Sequence, residues 1–93
     1  MDPIEALTLL QKMPGFERWE CYHRTQFECF RPTNESGGME KVIVTILDSG
    51  TVQRGGRYHV SAKSESGKVA SGNPDDSLHA ALAMVHWGDL GRP

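Results

Sequence analysis

Ninety-three residues, 38% hydrophobic and 24% charged, suffice for one domain with a single core, and a small domain of this size holds only modest stability. The net charge of −2 argues against a chain that grips nucleic acid with its whole surface. No apolar run approaches the ~18 residues of a membrane span, and Met-Asp-Pro-Ile-Glu lacks the basic start of a signal peptide, so a soluble, cytoplasmic chain is expected. Charge is uneven: residues 1–40 carry four basic and seven acidic groups, residues 41–68 five basic and two acidic, and the remainder one basic and three acidic. Only the middle is basic. Two cysteines without a secretion signal read as free thiols rather than a bridge.

The chain opens with a helix over about 3–13: Asp2 as cap, Pro3 at the first position, Glu5 in the first turn. Ala6, Leu7, Leu9, Leu10 and Met13 give it a broad apolar face, read as core packing, and Met13-Pro14-Gly15 ends it. From about 16 to 31 the pattern alternates, as in one long strand or two strands turning near His23 to Gln26. Trp19, Cys21, His23, Thr25, Phe27 and Cys29 share one parity, and Glu20, Tyr22, Arg24, Gln26, Glu28 and Phe30 the other. Residues 31–38 form a loop. Lys41 to Leu47 is apolar at nearly every position, so the strand over about 40–48 belongs inside the sheet.

Asp48-Ser49-Gly50 turns the chain, a strand over about 57–63 places Tyr58, Val60 and Ala62 on one face, and a short last strand covers about 68–71. A second helix is predicted over about 74–87, with Asn73 as cap, Pro74 at the first position, and Leu78, Ala81, Leu82, Val85 and Met84 as its apolar stripe. Residues 88–93 read as a tail. The fold class is therefore α+β: an antiparallel three- to five-stranded sheet with an N-terminal and a C-terminal helix, both favoured on the same side, in one domain.

Chemical signatures are sparse. Cys21, His23, Cys29 and His59 could in principle bind zinc, but the paired spacing of structural sites is missing, and two buried, reduced thiols are the expectation. His79 and His86 stand seven apart on the second helix, too far to share an ion. Neither a nucleophile elbow nor a phosphate loop is present, so no enzyme, cofactor or metal is predicted.

Helix, sheet, helix in this order resembles the double-stranded RNA-binding domain, and Tyr58-His-Val-Ser-Ala62 followed by Gly72 and an Ala-rich helix looks like the end of that fold. Where that family places a lysine cluster at its second helix, this chain has Asp75-Asp76. Gly72 to Trp87, with its turn, cap and Ala-Leu-rich helix, is also similar to small bacteriophage and prophage helix–sheet–helix proteins. Some of those are inhibitors of host defence, the anti-CRISPR proteins among them. That resemblance implies docking on a large host complex.

The function expected is a non-catalytic protein that docks on a protein or ribonucleoprotein partner, best described as a phage-type inhibitor. The alternative is a nucleic-acid-binding module using the basic middle region. If the second parity faces water, the partner-binding residues are Tyr22, Arg24, Phe30, Arg54 and Arg57, since Tyr, Phe and Arg dominate binding hot spots. A register slip of one residue would put Tyr22 and Phe30 in the core instead. Arg54-Gly-Gly-Arg57 reads either as a binding loop or as a hairpin loop with solvated charges.

Overall fold

The computed structural model describes residues 2–34, 36–50 and 55–91. It is α+β: helix α1 (Pro3–Gln11), strands β1 (His23–Pro32), β2 (Met39–Asp48), β3 (Tyr58–Ser64) and β4 (Val69–Ser71), helix α2 (Leu78–Ala83), and a 3-10 turn at Trp87–Leu90. The four strands form one antiparallel sheet in the order β1-β2-β3-β4. As its composition demands, β2 lies inside. No helix among the described residues is long and apolar enough to cross a membrane.

The register sorts the side chains. His23 faces Asp48, Phe27 faces Val44 and Cys29 faces Val42, while Val44 faces Ala62 and Ala62 faces Ala70. Odd residues of β1 thus share a face with even residues of β2, β3 and β4, and on this face the core forms. Val42, Val44, Val60, Ala62 and Ala70 pack under Ala81 of α2, Val85 just beyond it and Leu90 of the 3-10 turn. The small alanines of β3 and β4 let the helix approach closely.

The cover is lopsided. Helix α2 and the 3-10 turn lie over β3 and β4, whereas α1 meets the sheet where β1 begins and β2 ends. Leu7 packs beside Gly50, and Gln11 donates from Nε2 to the carbonyls of Ser49 (2.7 Å) and Cys21 (3.3 Å). Of the broad apolar face read in α1, only Leu7 is buried; Leu9, Leu10 and Met13 stand in solvent. The core cluster under α2 takes no residue from α1, which packs at the end of the sheet. For the same reason Cys29 is exposed and Cys21 half-buried, which corrects the expectation of two buried thiols.

Two boundaries move. The strand expected from residue 16 starts at His23, because β2 offers no partner beyond Asp48; before it the chain turns, with Phe16 N–H on the Met13 carbonyl and Trp19 N–H on that of Phe16. The second helix starts at Leu78, not 74, and ends at Ala83. Asp75 exchanges both backbone hydrogen bonds with Tyr58 (2.9 and 3.0 Å), an added bridge on the edge of β3 that holds the segment extended. Ser77 then caps α2, accepting from the Ala80 N–H at 3.2 Å, and Asn73 does not. The supposed tail contributes Leu90, 4% exposed, to the core.

Candidate binding surface

The opposite face of the sheet carries the even residues of β1 and the odd residues of the other strands, and α2 and the 3-10 turn lie on the other side. Arg24 and Phe30 are both on it and both exposed, so the parity assigned from sequence stands and the slipped register does not. Phe30 is 56% exposed opposite Lys41, with Met39, equally exposed, diagonal to it. Toward the centre, Lys41, Ile43, Thr45 and Lys63 line a shallow open depression of about 410 Å³ with Val69 at its far side. Ile43 and Val69 give it aliphatic contact area among polar neighbours, and Lys41, Lys63 and Glu65 bring charge of both signs. Sequence reasoning did not pick Met39, Ile43, Lys41 or Lys63: in a strand apolar on both faces, parity alone could not tell which side each residue served.

Tyr22 lies just before β1, exposed, at one end of this face. It shares a second hollow of about 300 Å³ with Arg57, His59, Leu47 and Pro74. The structure therefore brings Tyr22 and Arg57 together, while Phe30 lies at the other end of β1. Arg54 lies outside the described residues.

Arg57 is not a free loop cation. Its Nε donates to Asp48 Oδ1 at 2.7 Å and its Nη2 to Oδ2 at 3.1 Å, and the guanidinium sits 4.9 Å from the centre of the Tyr58 ring. Asp48 is buried, 8% exposed, and also accepts the Gly50 N–H at 2.8 Å. Burial pushes its carboxyl up, but the Arg57 and Gly50 hydrogen bonds, with the charges of Arg57 and His23, outweigh that and hold it below the usual carboxylate value. The same bond to Asp48 holds the Arg57 guanidinium above its ordinary value. This pair ties the end of β2 to the start of β3. The backbone N–H of Arg57 also donates to Asp76 at 3.0 Å, so Asp76 helps shape the loop that docks on residues 74–76.

The possible zinc ligands do not converge: His59 lies on the open face, and His23 and Cys29 on the other. Among the described residues no three His, Cys, Asp or Glu side chains gather to hold a metal. No family model matches the chain, and neither does any curated protein or solved structure.

Proposed function

We propose that the chain is a non-catalytic docking protein that presents the open face of its sheet to a macromolecular partner, a protein or a ribonucleoprotein. The observation that carries this reading is an uncovered sheet face on which Phe30, Met39 and Ile43 lie among Arg24, Lys41 and Lys63. Exposed aromatic and aliphatic groups supply contact area, and the cations select a partner with acidic groups beside its apolar ones. A small inhibitor of the phage type would work this way, covering a surface on a host complex without chemistry of its own. The second reading, direct binding of nucleic acid, is favoured by the same lysines, on a face that also carries the exposed rings of Phe30 and, at its end, Tyr22.

A pull-down from bacterial lysate compares the wild type with the Phe30→Ala, Lys41→Glu and Lys63→Glu triple variant, with and without nuclease. Capture that survives nuclease and is lost in the variant supports docking on protein. Capture abolished by nuclease, with binding to purified single- or double-stranded RNA that weakens steeply with salt, supports the second reading. Equal capture by variant and wild type would remove the open face as the site.

A further inference from the structure

Strand β1 is a ten-residue edge strand, and among the described residues no strand pairs with its outer edge. Glu65 N–H donates to the Lys41 carbonyl, and Ser49 N–H to that of Arg57, so the odd residues of β2 bond to β3. Its even residues must then bond to the odd residues of β1, because hydrogen bonding alternates along an antiparallel strand. Arg24, Gln26, Glu28 and Phe30 consequently turn their N–H and C=O groups outward. Among the described residues no hydrogen bond reaches those main-chain groups. The other edge differs: β4 is three residues long, and the Ser71 carbonyl already accepts the His86 N–H.

An edge of this length invites another strand unless charge or shape discourages pairing. Here the side chains favour one partner in one register. Along the open face β1 and its approach read Tyr22, Arg24, Gln26, Glu28, Phe30, aromatic and charged groups arranged about a central glutamine. Turned about a two-fold axis at Gln26, the sequence meets itself: Arg24 falls opposite Glu28 of a second copy, Tyr22 opposite its Phe30, and Gln26 opposite its Gln26. Arg24, Gln26 and Glu28 are even positions of β1, the ones with outward main-chain groups, so side-chain and backbone complementarity select the same register. Shifting the axis by one residue in either direction removes the Arg24–Glu28 match. Among the described residues neither charge has an ion partner within the chain: Arg24 lies across from Leu47 and Glu28 across from Ile43.

The other side of the sheet agrees. Phe27 is 51% exposed and Cys29 exposed, although both lie on the face that carries the core. In the same register Phe27 faces Thr25 of the second copy, and the two Phe27 rings become diagonal neighbours across the axis, covering surface that α2 leaves bare.

We infer that two copies of this chain pair antiparallel through β1, with the axis at Gln26, to form a continuous eight-stranded sheet. The interface is isologous and closed, so it yields a dimer and no fibre. About six main-chain hydrogen bonds join the strands, and two symmetric Arg24–Glu28 pairs fix the register. The inference is independent of what docks on the open face, and it places two such faces side by side.

Charge reversal tests the register. Arg24→Glu alone and Glu28→Arg alone each set like charges opposite one another twice, and each should sediment as a monomer at concentrations where the wild type is a dimer. Mixed in equal amounts they should re-form a dimer, because the two carboxylates of the first variant then meet the two guanidinium groups of the second. Far-ultraviolet circular dichroism of each variant controls for folding. A covalent readout stands beside it: in a Cys21→Ser background, His23→Cys lies opposite Cys29 of the second copy and should give a disulfide-linked dimer on mild oxidation. A monomeric wild type at high micromolar concentration would overturn the inference. So would a dimer untouched by either reversal, or failure of the mixture to reassociate.

Discussion

The guanidinium of Arg57 makes two hydrogen bonds to the carboxylate of Asp48, across the junction where β2 hands over to β3. Each group lacks an equal substitute. Among the described residues Asp48 keeps the Gly50 N–H as its remaining hydrogen-bond donor if Arg57 is removed. Arg57→Ala should cost about 2 kcal/mol, the usual range for charged hydrogen bonds, and Arg57→Glu should cost more by placing two carboxylates together. Reversing Arg57 to disrupt partner binding would therefore lower the melting temperature as well, so Lys41 and Lys63 are the cleaner probes.

The same pair sets an acid response. The folded state holds the Asp48 carboxyl below its ordinary value of 3.8, so it binds this proton less readily than the unfolded chain does. Its stabilising contribution is fully present above that ordinary value and is lost as pH falls through the folded value. Between about pH 5 and 2, urea midpoints of Arg57→Ala should fall less steeply than those of the wild type. Parallel curves would show that Asp48 carries no such share.

Ser77, and not Asn73, starts the second helix. Ser77→Ala should cost about 1 kcal/mol and Asn73→Ala less than about 0.5 kcal/mol in thermal melts. The reverse order would restore the earlier start at residue 74.

Gly72 and Met84 are in backbone contact: a Cβ on Gly72 would lie 2.6 Å from the Met84 carbonyl oxygen. Backbone cannot swing away as a side chain can. Gly72→Ala should destabilise by about 1–3 kcal/mol, as over-packing does, although alanine is otherwise acceptable beside the strand. An unchanged denaturation midpoint would show that α2 rides free of β4.

Arg31 joins β1 to the C-terminal turn. It donates to Glu40 Oε1 at 2.6 and 2.9 Å, to the Leu90 carbonyl at 3.0 Å and to the Gly91 carbonyl at 2.8 Å. Leu90→Ala should cost about 2–5 kcal/mol as a core truncation. Arg31→Lys should recover little of the loss in Arg31→Ala, since one ammonium cannot span a carboxylate and two carbonyls in that forked geometry. Chemical denaturation of the three variants decides it.

Much of the fold was legible because periodicity carried it. The apolar run at Lys41 to Leu47 placed β2 inside the sheet, and Tyr58, Val60 and Ala62 marked the core face of β3. What failed depended on partners distant in sequence. Asn73-Pro74 has the chemistry of a helix start, yet Tyr58 takes Asp75 into the sheet first. The tail looked polar and short, but Arg31, sixty residues earlier, anchors Gly91, and Leu90 fills the core. The exposure of Arg24 and Phe30 on the face away from the core was legible by parity. Neither loop reading of Arg57 includes its ion pair, because its carboxylate partner, Asp48, lies nine residues away on another strand.

The lopsided cover of the sheet has a dynamic consequence. Amides of β3 sit between paired strands and beneath α2, so their hydrogen exchange should require opening of the whole domain. The inward amides of β1 are held by β2 alone and should exchange through a local peeling of that strand, and its outward amides faster still. Binding along the β1 edge would add the missing layer, and the slow-exchanging region would then spread outward from β3 to the strand that is otherwise the first to loosen.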